Sequence, residues 1–191
     1  MTTAEFGVTD RRMAIGGALA LAAGLALPRR QSRTVTQRGM VGGGLVQSEQ
    51  GEANFSLFAS RMVFTEDGTE VVVGSVLWIE DSAGLKLRST VITEYIAPAQ
   101  KGPRQIIGKM SVNDEGEYPF ELVVTDADLP GYRKDTLNLT VGNDAGLGGY
   151  GTPAGDSEFT YKANGTVDFG DLHDLDFQID LATGAVRQEE N

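Results

Sequence analysis

Through most of the chain after residue 50, apolar and polar residues alternate with a period of two, which puts successive side chains on opposite faces of β-strands. The pattern is clearest from Gln105 to Val141. Ile106, Met110 and Val112 share one face of a first strand, Tyr118, Phe120, Leu122 and Val124 one face of a second, and Leu137, Leu139 and Val141 one face of a third. Asn113-Asp114-Glu115-Gly116 is short, polar and ends in glycine, so it predicts a tight hairpin with a bulge, the glycine supplying the positive φ. These three strands form an antiparallel meander whose apolar faces need one shared core.

Upstream, Ala53, Phe55, Leu57 and Ala59 alternate until Arg61 interrupts them, and Met62 and Phe64 then carry the apolar positions in the opposite phase. That change predicts a bulge or bend near Ser60-Arg61. Glu70 to Glu80, EVVVGSVLWIE, is the most continuous apolar run outside the leader and predicts a central strand buried on both faces, with Trp78 in the core. Downstream, Phe159, Tyr161 and Ala163 lead to Asn164-Gly165, a type I′ turn signal, and Val167 and Phe169 alternate back, which predicts a hairpin. A last strand runs from Leu175 to Leu181. About nine or ten strands at the spacing usual for sandwiches and barrels predict an all-β fold, an antiparallel β-sandwich or a partly closed barrel.

The remaining segments set the boundaries. Residues 1–30 have a polar start, an arginine pair and a 16-residue apolar run from Met13 to Pro28, the layout of an export signal. Thr9-Asp10-Arg11-Arg12-Met13-Ala14-Ile15 resembles a twin-arginine motif, with Arg11 and Arg12 as the targeting residues; the general secretory route stays open beside it. The run falls short of the ~20 residues of a stable membrane span, so no span is expected after processing, and the destination is the cell envelope or the exterior. Residues 31–50, with Gly42-Gly43-Gly44, read as a flexible lead-in that becomes a short strand near Gly44 to Gln47. Residues 51–187 read as one domain, with a glycine-rich linker or crossover (143–156) before the C-terminal hairpin and strand at 157–181, and 188–191 as a frayed tail.

Charge narrows the partners. The chain carries a net −11; without residues 1–30, 12 basic residues stand against 25 acidic ones, a net −13. Phosphate backbones and anionic headgroups repel such a surface, which argues against nucleic acid and leaves a protein or a glycan as the partner class. With no cysteine, the chain has no disulfide, thiolate nucleophile or cysteine-bound metal.

Candidate chemistry is sparse. His173, the only histidine, sits in Gly170-Asp171-Leu172-His173-Asp174, which reads as a solvated polar turn, and no G-x-S-x-G elbow accompanies it. Asp126, Asp128 and Asp135 flank one loop and offer hard oxygen ligands to calcium; the same aspartates also suit turn capping beside Pro130-Gly131. Carboxylate-based hydrolysis requires two acids converging in a pocket, which spacing alone does not reveal.

Gly42-Gly43-Gly44, Ala53-Asn54-Phe55, Gly84-Leu85-Lys86-Leu87, Ile107-Gly108, Val112-Asn113, Glu115-Gly116-Glu117-Tyr118-Pro119-Phe120, Asp126 to Pro130-Gly131 and Asp135-Thr136 together resemble the post-COAP-1 domain, a small exported bacterial β-domain. The resemblance covers Gly42 to Asn143 and implies export and a β-fold without assigning an activity. The reading that follows is an exported, non-catalytic binding or structural module. A small secreted hydrolase and a calcium-binding extracellular domain are its alternatives.

Overall fold

The computed structural model describes residues 33–98, 102–127, 134–142 and 159–188. Its strands are β1 (Thr34–Ser48), β2 (Glu52–Phe64), β3 (Glu70–Glu80), β4 (Leu85–Ile96), β5 (Arg104–Val112), β6 (Glu115–Thr125), β7 (Thr136–Gly142), β8 (Thr160–Asp174), β9 (Phe177–Asp180) and β10 (Ala185–Gln188). From β1 to β8 each strand pairs antiparallel with the next, and β8 returns to pair with β1. Of the two expected architectures the barrel is the one formed, and it is closed rather than partly open. β9 continues along β1 at Thr34 to Gln37, and β10 pairs with β9. The leader with Arg11 and Arg12, the segment 143–156 and residues 189–191 lie outside the described residues.

The barrel interior is built from the faces that alternation marks. Ile106, Met110, Phe120, Leu122, Val124, Leu137, Leu139 and Val141 are buried in one cluster with Phe55, Leu57, Trp78, Leu87 and Leu172. An eight-stranded barrel is just wide enough for side chains to fill, and this one is filled.

Local readings fail where a backbone ladder overrides them. The expected lead-in is strand β1, and its glycines belong to the closing seam with β8. Gly44 lies opposite Gly170, and a Cβ on Gly170, whose φ is 113°, would come within 2.1 Å of the Gly43 carbonyl oxygen. The strands therefore approach closely because neither carries a side chain there. Asn164-Gly165 makes no turn: it sits inside β8, where Gly165 faces Ser48 of β1 and Leu137 of β7. A residue held by ladders on both sides is not free to reverse the chain, so 160–174 is one strand, and β9 with β10 forms the C-terminal hairpin.

No bulge occurs at Ser60-Arg61 either, because β1 and β2 stay in continuous register from Val35↔Phe64 to Gln47↔Glu52. β3 is buried on its inward face only; Val71 and Val73 point outward and are exposed. The β5–β6 hairpin forms where expected, with Asn113 and Asp114, as well as Gly116, at positive φ.

Candidate functional site

Because consecutive strands alternate in direction, the barrel has a hairpin end, carrying the β1–β2, β3–β4 and β5–β6 turns, and a mouth end, carrying the β2–β3, β4–β5 and β6–β7 connections. Since β2 keeps its phase, Arg61 and Val63 lie on the same inward face as Ala59 and Leu57. In β1, Arg38 and Thr36 continue the face of Met40 by the same count. The interior thus turns from apolar to basic as it approaches the mouth.

A concavity of about 310 Å3 opens there, lined by Thr36, Arg38, Arg61, Val63, Tyr95 and Ala97. Arg38 and Arg61 are direct cross-strand partners. Like charges so placed repel. Arg61 is held by Glu70 through Nε to Oε2 at 3.0 Å and a second, Nη2 to Oε1 contact, forming a two-pronged ion pair. That pair holds the Glu70 carboxyl below its usual range and the Arg61 guanidinium above its own. Arg38 donates from Nη1 to the Pro98 carbonyl at 2.9 Å.

Beneath the mouth lies an ionic cluster. Arg104, at the head of β5 and 4% exposed, donates to both carboxylate oxygens of Asp176 at 2.9 Å and to the Tyr95 hydroxyl at 2.9 Å. It also pairs with Asp174 and donates to the Gly39 carbonyl at 3.3 Å, while Asp176 accepts from the Gly39 amide at 3.3 Å. Burial works against the guanidinium cation, but the hydrogen bonds and charges of Asp176, Tyr95 and Asp174 outweigh it and raise its pKa. Burial raises the Tyr95 hydroxyl well above its ordinary value, against the pull of Arg104.

The hairpin end is closed by a different set. Trp78 Nε1 donates to the Tyr161 hydroxyl at 3.0 Å, Tyr161 donates to Glu80 Oε2 at 2.8 Å, and Ser82 donates to Glu80 Oε1 at 3.3 Å. Burial, reinforced by the hydrogen bond to Glu80, raises the Tyr161 hydroxyl above its ordinary value.

The residues singled out from sequence are placed as follows. His173 stands on β8 rather than in a turn, 60% exposed, with Nε2 3.1 Å from Asp171 Oδ2 and no serine or cysteine nucleophile beside it among the described contacts. Asp128 lies outside the described residues. Asp126 and Asp135 are buried at the two ends of the β6–β7 connection. The Asp135 carboxylate accepts from the Ala127 amide at 2.6 Å and the Leu172 amide at 2.9 Å, the capping use of an aspartate. Among the described residues no group of three or more His, Cys, Asp or Glu side chains is placed to hold a metal ion.

A second, shallower groove of about 460 Å3 runs over the outer faces of β1, β7 and β8, with Gln47, Asn138, Asn164 and Thr166 among its walls. The mouth was missed by sequence reasoning, although one signal for it existed: Arg61 occupies an inward position if β2 is not bent. No protein-family model, no curated protein and no solved structure matches this chain.

Proposed function

We propose that the chain is an exported, non-catalytic binding module of the post-COAP-1 kind that takes a small molecule in the mouth of its barrel. The observation that carries this reading is the 310 Å3 mouth concavity standing above a filled core. Barrel mouths are habitual ligand sites, and a pocket combining a few polar groups with apolar walls fixes both orientation and affinity. The nearby acids support binding over hydrolysis. Asp174 and Asp176 converge, as a carboxylate mechanism would ask, but both are ion-paired with Arg104, which ties them into the seal beneath the mouth. Export rests on the leader, with Arg11 and Arg12 as its targeting pair.

The test is an amide-shift titration of the labelled protein with a library of small organic fragments. Shifts clustered at residues 36–38, 61–63 and 95–97 are the expected result. Shifts confined to the outer β1–β7–β8 groove, or turnover of ester or glycoside substrates, would overturn it. For export, replacing Arg11 and Arg12 by lysine is expected to leave the precursor in the cytoplasm; unchanged export would show that the pair is not the signal.

A further inference from the structure

We infer that the mouth-end half of β3, residues 70–75, is an open strand edge on which a second copy of this chain docks, β3 against β3 in antiparallel register about Val72. The inference does not depend on what the mouth binds.

β3 pairs with β2 along nearly its whole length, from Val63↔Glu70 to Asn54↔Ile79. On its other side it pairs with β4 only from Leu77↔Arg88 to Glu80↔Leu85. The last tie before those two strands part is the Val76 amide, which donates to Ser89 Oγ at 2.8 Å. Beyond it the register of β4 on β5 slips twice, between Ser89 and Val91 and between Ile92 and Glu94. Among the described residues no strand pairs with residues 70–75 on that side, and all of them except the half-buried Val72 are exposed. In an antiparallel strand the N–H and C=O of one residue point to the same side, and the side alternates along the chain. Val72 and Gly74 share the phase of Val76, so their N–H and C=O groups face the open edge and form a template for another strand.

Proteins usually blunt such edges by shortness, charge or proline. The outermost strand, β10, does so: it is four residues long and includes Arg187. Residues 70–75 hold neither lysine nor proline, and their one charged side chain, Glu70, is tied to Arg61. The edge also matches itself. With a two-fold axis at Val72, Val71 of one copy lies opposite Val73 of the other, a cross-strand pairing of branched side chains. Glu70 then lies opposite Gly74, so no carboxylate meets another. Residues 71–79 carry no charge in a chain of net −11, whose acidic surface otherwise repels a copy.

The test is sedimentation of the intact protein, with amide exchange read residue by residue at both ends of the concentration range. An edge pair this short is a small interface, so the average mass should climb toward twice the monomer's between about 10 µM and about 1 mM. The amides of Val72 and Gly74 should gain protection as it climbs, whereas those of Val71 and Val73, which face β2, are protected throughout. Val72→Pro removes an N–H that β2 does not use, and Val73→Lys puts a charge on the exposed outer side of the edge. Each should weaken association about tenfold or more. Thr160→Lys, the same change of charge on an exposed position of β8, should leave association as it was. Unchanged melting of Val73→Lys would separate lost pairing from lost folding. A protein that stays monomeric at the upper concentration overturns the inference, as does association that survives both β3 substitutions or leaves Val72 and Gly74 unprotected. A monomer whose Val72 and Gly74 amides shift on adding a synthetic peptide of residues 69–75 overturns it too, by giving the edge to a free extended segment instead of a second copy.

Discussion

The two ends of the barrel meet the same requirement in different ways. Each must seal an apolar column with groups that satisfy one another, and each uses a tyrosine hydroxyl at the centre. At the hairpin end Trp78 donates to Tyr161, and Tyr161 and Ser82 each donate to the single carboxyl group of Glu80. At the mouth end Tyr95 is joined to Arg104 and two aspartates, three ionisable side chains in one cluster. Burying an ion set is the costlier solution, because the Coulomb gain has to offset several kcal/mol of lost hydration per charge. In addition the Nε of Arg104 is buried without an acceptor among the described residues. A seal built on one carboxyl group with no buried cation exists in the same molecule, so sealing alone does not explain the ionic cluster. Local rules are broken most often where a protein binds or reacts, and the costlier end is also the end that carries the concavity.

The largest effect should come from breaking the ionic seal. Arg104→Met takes this cation from the buried Asp176 and the part-buried Asp174, and removing one member of a buried pair costs about 3–5 kcal/mol. Chemical denaturation should show that loss, or a failure to fold. The sharper form replaces the set together: Arg104→Met with Asp174→Asn and Asp176→Asn should recover most of the stability, because no isolated charge is then buried. A triple variant no more stable than the single one would show that the cluster stabilises the barrel through its individual hydrogen bonds rather than through charge balance.

The hairpin end should respond less. Tyr161→Phe leaves the Trp78 N–H without an acceptor and Glu80 Oε2 without its donor, and such orphaned buried groups cost about 1–3 kcal/mol. The denaturation midpoint should fall while the proposed binding at the mouth is unchanged, since the two ends share no side chain. Loss of ligand binding in this variant would mean that the ends are coupled through the core.

How much of this could be read beforehand depends on whether a residue's setting is local. β5, β6 and β7 are legible because Ile106, Phe120 and Leu139 belong to strict alternations, and a tight turn joins the first two of these strands. Arg61 was misread because a polar side chain in an apolar series was taken for a change of phase. The strand cannot change phase while β1 holds its backbone in register, so the polarity belongs to the interior near the mouth. Val71 and Val73 signal strand, yet branched side chains favour a pleated surface whether or not it is covered. Asn164-Gly165 is a turn only when nothing pairs with it. The Arg104 cluster was out of reach, since Tyr95 lies 9 residues away but Asp174 and Asp176 lie 70 and 72 away, and they meet only once β8 closes on β1. The glycines that permit that closure read in the sequence as slack.

The smallest effect, and the one that compares the ends most directly, is alkaline loss of stability. Both tyrosines keep their protons in the folded protein at a pH where an unfolded tyrosine, with a pKa of about 10, has lost its own. The folded state then binds more protons than the unfolded one, so stability is fully present below about pH 10 and declines as pH rises above it. Melting followed from pH 9 to pH 11.5 should fall faster in the parent than in Tyr95→Phe or Tyr161→Phe, each of which removes one of the two contributions. The causes differ at the two ends: burial and Glu80 act together on Tyr161, whereas Arg104 opposes burial at Tyr95. Taking Arg104 away should therefore keep Tyr95 protonated in the folded protein to still higher pH, extending the alkaline decline it contributes, and leave the contribution of Tyr161 as it was. An equal change at both tyrosines would mean that Arg104 reaches the far end of the barrel and that the two seals are not independent.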